Sequence, residues 1–273
     1  MIPTSDKHEV LSWISNLRQN KCQRESFLKL RDYLLSSDIH SDSDWLKRLR
    51  REISKGESSY LSMLGGLFDK EGKLDNFLAY ASSQGIEKKE LFEAYFFNYH
   101  VKNFFKKSFG TVHDMCSGSG INGFYLLSEK SCSRVEFYDI KQPRIFDSLK
   151  GYFTINNPAP NFNANLEDIT KIKEIVPSKD SIITAVHACG SLTDKVISIA
   201  INSRMPFAVV PCCHPSDDST YLSSEIIASF PDPSQAIDAI RLYNAKSQGY
   251  EVALRTIPKE VTEKNRIIIG NPL

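Results

Sequence analysis

The segment Val112-His113-Asp114-Met115-Cys116-Ser117-Gly118-Ser119-Gly120-Ile121-Asn122-Gly123 constrains this chain more than any other. An apolar run ends, two glycines follow one residue apart, and a helical stretch begins: strand, tight turn, helix. Glycine suits the turn because a Cβ would hold a ligand away from the amides at the helix N-terminus. Nineteen residues after Gly120 the run Arg134–Tyr138 ends at Asp139. An acid at the tip of a second strand is placed to accept hydrogen bonds from both hydroxyls of a ribose. After a third short strand comes Leu166-Glu167-Asp168-Ile169, where the Asp168 carboxylate can accept from an adenine amino group framed by Leu166 and Ile169.

The surrounding periodicities give this loop its context. Residues 8–107 read as helical: Leu11, Ile14 and Leu17 recur at helical spacing, as do Phe27, Leu30 and Leu34, and then Trp45, Leu46, Leu49 and Ile53 behind a cap at Ser43 or Asp44. Gly65-Gly66 and Gly85 break the pattern before an aromatic-rich helix over 86–105. Past Gly110 the strands 111–115, 134–138, 162–164, 181–186 and 207–210 interleave with helical stretches, which argues for a parallel sheet covered on both faces. Runs 250–257 and 266–269 are separated only by Pro-Lys-Glu-Val-Thr-Glu-Lys-Asn, too short for a crossover helix, so they pair antiparallel. The expected fold is α/β: a Rossmann-like sheet of seven strands with the last pair antiparallel. Residues 1–85 form a helical cap that contributes to substrate recognition, and residues 86–273 the α/β domain.

Gly118-x-Gly120-x-x-Gly123 also fits a dinucleotide fingerprint. Two features point instead to S-adenosylmethionine. Asp114, just before the loop, repels a pyrophosphate and welcomes a methionyl ammonium, and a closing antiparallel pair is usual for class I methyltransferases and foreign to the dinucleotide fold. The expected cofactor contacts are therefore Asp114, Cys116, Gly118, Gly120, Asp139, Leu166, Asp168, Ile169 and His187.

Asp114-x-Cys116-x-Gly118-x-Gly120, His187-Ala188-Cys189-Gly190-Ser191-Leu192-Thr193-Asp194, Pro211-Cys212-Cys213-His214 and the closing Glu-Val-Thr-Glu-Lys-Asn-Arg-Ile-Ile-Ile-Gly together resemble one methyltransferase group. It includes the eukaryotic tRNA acceptor-stem 2′-O-ribose methyltransferase and the methyltransferase-like half of the glutathione S-transferase C-terminal-domain-containing protein. The resemblance covers about residues 90–273, with Cys116 in place of the superfamily's usual first glycine. It implies an adenosylmethionine-dependent methyltransferase acting on RNA. The tRNA enzyme's small Cys/His zinc modules have no counterpart in spacing here.

If the sheet has the strand order of that methyltransferase group, strand one beside strand four and four beside five, then Cys116, His187, Cys189, Cys212, Cys213 and His214 gather at the ligand-binding edge of the sheet. His187 or His214 can take a proton from an acceptor hydroxyl. Alternatively Cys212, in a Pro-Cys similar to that of RNA cytosine-C5 methyltransferases, attacks a pyrimidine ring. A zinc site needs a two-to-four-residue gap between paired cysteines, whereas Cys212 and Cys213 are contiguous, so no metal is expected. Small thiols packed in the interior, with Pro211 fixing a turn, are the remaining reading.

Composition narrows the partners. The 273 residues carry 34 Lys and Arg against 33 Asp and Glu, so the chain as a whole is no polyelectrolyte binder. It holds no apolar run long enough for a membrane helix, and Met-Ile-Pro-Thr-Ser-Asp-Lys-His-Glu-Val has no secretory pattern. Six scattered cysteines suit a reducing cytoplasm. Lys47, Arg48, Arg50, Arg51 and Lys55 put cations outward on an amphipathic helix, a footprint suited to RNA phosphates. Reversing two of them, Arg48→Glu with Arg51→Glu, is expected to weaken RNA binding in a filter assay, less so at high salt. Unchanged affinity at low salt would take this helix out of the footprint.

Overall fold

The computed structural model describes residues 75–156, 161–212, 233–259 and 261–273. After α1 (Asn76–Ser83) and α2 (Lys88–Phe105) come β1 (Phe109–Met115), α3 (Ile121–Ser128), β2 (Cys132–Asp139), α4 (Arg144–Asn156) and β3 (Phe162–Leu166). Then follow β4 (Ser181–Ala188), α5 (Ser191–Asn202), β5 (Phe207–Pro211), α6 (Pro233–Ser247), β6 (Tyr250–Thr256) and β7 (Arg266–Pro272). The strands form one sheet in the order β3-β2-β1-β4-β5-β7-β6. β1 to β5 run parallel, and β7 pairs antiparallel with both β5 and β6. This is the Rossmann-like α/β sheet of class I methyltransferases, as the spacing of the apolar runs predicts.

Alternation along the central strands sorts side chains between two cores. Ile182, Ala208, Val210, Ile267 and Ile269 join the residues of α1 to α4, while Ile183, Phe207, Val209 and Ile268 join Val196 and Ile199 of α5 and Ala245 of α6. The first core is built on aromatic rings. Phe124 of α3 has its centroid 4.6 Å from Phe137, 5.2 Å from Phe146 and 5.3 Å from Phe162. Phe96 and Phe97 of α2 are fully buried in the same core.

That core also claims α1. Phe77 stands 5.3 Å from the Tyr152 ring, and the Tyr80 hydroxyl donates to the Ser148 carbonyl at 2.9 Å. The packed body thus takes in a helix on the far side of the division drawn at residue 85. The stretch Lys47–Lys55 lies outside the described residues.

Between β3 and β4 the described chain makes only one turn of 3-10 helix, Ile169–Lys171. One face of β2 and β3 is accordingly polar. Glu136 accepts from Arg134 Nε at 2.6 Å and from the amides of Asn163 and Asn165 at 3.3 Å each. His113 and Tyr138 stand beside them, 3.3 Å apart between Nδ1 and the hydroxyl.

Gly123 is where α3 crosses the sheet most closely. A Cβ there would collide with the Phe137 ring and stand 2.9 Å from Val135 Cγ1 and 3.0 Å from Asp114 Oδ2. Alanine normally favours a helix over glycine by about 1 kcal/mol. Phe137, held against Phe124 and Phe146, has nowhere to move. Gly123→Ala is therefore expected to destabilise the fold by about 1–3 kcal/mol, read as a lowered urea midpoint at unchanged m-value.

Candidate functional site

At the carboxyl end of β1 the chain leaves the sheet through a loop with three left-handed residues, Cys116 (φ 54°), Gly118 (φ 52°) and Gly120 (φ 76°). Their needs differ. A Cβ on Gly118 would meet nothing within 4 Å, so its bare backbone faces open space. On Gly120 a Cβ would stand 2.8 Å from the Phe146 ring and 3.0 Å from Phe124. Gly120, expected to let a ligand approach, instead serves core packing and forms no part of the cavity wall. Cys116 adopts its φ with a side chain in place, at a cost of about 1–2 kcal/mol. Burial, reinforced by Asp139, Asp114 and Cys189, pushes its thiol up to about 12, too high for thiolate chemistry at neutral pH.

Asp114 is 1% exposed. Its Oδ2 accepts from the Gly123 amide at 3.2 Å and its Oδ1 from the Thr184 hydroxyl at 3.0 Å, so one carboxylate ties β1 to α3 and β4. Burial raises its pKa to about 7 against the lowering effect of those two bonds. Expected to face a methionyl ammonium, it lies under the loop with both oxygens engaged and outside the cavity wall. Asp139 does reach the strand tips as predicted. Its Oδ2 accepts from the Gly118 amide at 2.8 Å and its Oδ1 from the Lys141 amide at 3.2 Å, which leaves further lone pairs to share.

Two apolar side chains flank Asp139 in the open. Leu166, its register partner on β3, is 69% exposed, and Ile140, which the sequence reading passed over, is 75% exposed. Asp168 caps the 3-10 turn: the Thr170 hydroxyl and then the Thr170 amide hold its carboxylate below the usual range. Ile169 does not frame a ligand. The 3-10 turn rotates it inward, and it is buried in the core beside α5.

A cavity of about 300 Å³ opens beside the loop, walled by Cys116, Ser117, Gly118 and Asn122, by His187 of β4, and by Glu93 of α2, with Glu87, Lys89 and Glu90 also lining it. His187 has φ 65° at the point where the β4–β5 register slips, a bulge that redirects the side chain. Its Nε2 lies 3.0 Å from Glu93 Oε2. Glu90 is raised by burial and then by the neighbouring Glu87 and Glu93. Sequence reasoning missed this acidic wall, although residues 87, 90 and 93 recur at the spacing of one helix face.

Cys212 is buried against the main chain of His187. Its Sγ is 3.5 Å from the His187 carbonyl and 2.7 Å from Cys189 Sγ, and it is not part of the cavity wall. Its expected role as nucleophile thus finds no opening onto the cavity. Cys213 and His214 lie outside the described residues. Among the described residues no group of three His, Cys, Asp or Glu side chains is arranged to hold a metal ion. Nor is any helix among them long and apolar enough to cross a membrane.

Residues 93–216 match a family model described as a methyltransferase domain. That part of the chain is thus similar to the domain of a methyl-transferring enzyme. Among curated relatives, the glutathione S-transferase C-terminal domain-containing protein of Xenopus laevis is 24% identical over 197 residues, covering 60% of this chain and 31% of the relative. Its Homo sapiens counterpart is 25% identical over 195 residues, covering 59% and 30%. The chain therefore spans less than a third of the length of these relatives. An rRNA methylase from Streptococcus thermophilus superposes with a TM-score of 0.42 at 10% identity, over 69% of this chain and 98% of that one. A SAM dependent methyltransferase from Aquifex aeolicus gives 0.43 at 15%, over 71% and 97%. Scores this low add nothing to the strand order itself.

Asp114 makes the site sensitive to pH in a defined direction. It ionises near pH 7 in the fold and near pH 4 in the unfolded chain. The unfolded state releases the proton first, so this group's contribution to stability falls as pH rises from about 4 to about 7. The stability of the parent relative to Asp114→Asn is expected to decline across that window in urea titrations. A flat difference would mean that the buried carboxyl does not change its charge there.

Proposed function

We propose that this protein transfers a methyl group from S-adenosylmethionine to RNA, tRNA-like and at a ribose 2′-oxygen. The observation that carries the donor is Asp139 at the tip of β2, bonded to the Gly118 amide and flanked by exposed Ile140 and Leu166. A carboxylate between two apolar faces suits a ribose diol beside a planar base. Asp139 would take the ribose hydroxyls, Leu166 and Ile140 the faces of the adenine, and Asp168 its amino group. Cys116 and Gly118 would border the sulfur-bearing arm along the cavity. When bound, adenosylmethionine supplies an electrophilic methyl carbon on its sulfonium, which the acceptor's lone pair takes in line.

The chain's own part is alignment and proton removal. His187, turned into the cavity by its bulge, would accept the hydroxyl proton of an acceptor, with His214 as the other candidate base. Holding acceptor and methyl carbon in line supplies much of the acceleration. The His187–Thr193 and Pro211–His214 motifs and the basic stretch Lys47–Lys55 support an RNA acceptor. A second reading, a cationic small molecule or protein side chain, is favoured by Glu87 and Glu90 in the cavity wall, which repel phosphate. Cytosine-C5 transfer through Cys212 is disfavoured by that thiol's position against the His187 main chain. On its cysteine pattern we place the protein in the cytoplasm.

Incubation of the purified protein with tritiated adenosylmethionine and fractionated RNA, protein and metabolite pools tests the acceptor. Label in RNA ribose is expected. Label in protein or metabolites alone would select the second reading, and bound adenosylhomocysteine with no label anywhere would make this a binding module. By calorimetry, Asp139→Ala is expected to lower adenosylmethionine affinity about tenfold or more.

A further inference from the structure

Five of the seven buried side-chain N and O atoms without a hydrogen-bond partner among the described residues gather at one place. They are Glu93 Oε1, Ser117 Oγ, Asn122 Oδ1 and both ring nitrogens of His187, whose four residues line the same cavity, whereas His113 Nε2 and Gln142 Nε2 lie outside it. Buried polar groups are ordinarily paired, so a cluster of unpaired ones marks a surface completed by something else. Its composition says what. A carboxylate oxygen and an amide oxygen only accept, a hydroxyl accepts or donates, and the Glu93 side chain is 3% exposed. The complementary group is a cation with several N–H donors and little bulk, which describes a primary ammonium.

We propose that Glu93 holds the α-ammonium of the methyl donor, with Asn122 and Ser117 taking its remaining N–H bonds. This rests on the adenosylmethionine reading above. Asp114, the sequence's candidate for that role, is 1% exposed beneath the loop and forms no part of the cavity wall, so no ligand in the cavity reaches it. Glu93 does line that wall. Its Oε2 lies 3.0 Å from His187 Nε2, at an angle that leaves the ring nitrogen without a hydrogen bond. Its Oε1 has only Lys89 Nζ at 3.7 Å, from a side chain 46% exposed. Such a solvated pair is weak and yields readily to a ligand. Lys89 would then stand free to meet the donor's own carboxylate. Glu87 and Glu90 add negative potential, and a bound cation relieves the repulsion from Glu87 and Glu93 that, after burial, raises Glu90.

Three ligands separate this role from others: adenosylmethionine, adenosylhomocysteine, and 5′-methylthioadenosine, which keeps the nucleoside but lacks the amino-acid end. Calorimetry on the full chain compares the parent with Glu93→Gln, an isosteric change. The variant is expected to lose about 10- to 100-fold in affinity for adenosylmethionine and adenosylhomocysteine and nothing for methylthioadenosine. Equal losses for all three ligands, or none, would overturn the assignment, the first pointing to a disturbed fold and the second to Glu93 acting on the acceptor through His187. A parent that binds none of the three would instead overturn the methyltransferase reading on which the assignment stands.

Discussion

Asp114 sits beneath the loop with almost no access to water, and its two oxygens reach in different directions, one to the amide of Gly123 and one to the hydroxyl of Thr184. Those two bonds fix where α3 begins and how β4 lies beside β1. Position and direction of the intervening residues follow, because a loop of five between two fixed ends has few conformations to choose from. The left-handed backbone at Cys116, Gly118 and Gly120 is the form that this closure takes. A buried, doubly engaged carboxylate is expensive in desolvation, and it is retained where it holds three elements at once.

Three acids near the loop thus divide the labour by their surroundings rather than by their chemistry. Asp114 is sealed and structural. Asp139 is half open, keeping the loop in place through Gly118 while it offers lone pairs to the outside. Glu93 is covered by protein but has an oxygen that no hydrogen bond inside the fold satisfies. The carboxylate is the same in each case, and only its access to water and to donors differs.

Much of this was legible in the sequence, and the reason is periodicity. Continuous apolar runs in β4, β5 and β7 and helical spacing in α3 to α6 are properties of neighbours along the chain, so the parallel sheet and its antiparallel ending followed from run lengths, whereas the strand order came only with the family resemblance. Asp139 was legible too, since a strand tip is a position along the sequence. What could not be read was which way a side chain turns once the strand has ended. Gly120 and Gly118 look alike in the sequence and differ because Phe146, from α4, occupies the space beside one of them. Ile169 turns inward with a 3-10 turn that no spacing announces. Glu93 belongs to a helix packed next to the loop from outside the βα unit, and only the tertiary fold brings the two together.

The crossing from β3 to β4 without an α-helix makes the domain lopsided. β2 and β3 rest on the aromatic core of α1 to α4 along one surface, and along the other they carry Arg134, Glu136, Asn163 and Asn165, a lattice of charged and amide groups. Along most of their length these two strands have a single hydrophobic anchor. Whatever loosens the layer of α1 to α4 therefore loosens β2 and β3 directly, with no second helical layer to keep the Asp139 edge in register while the first one breathes.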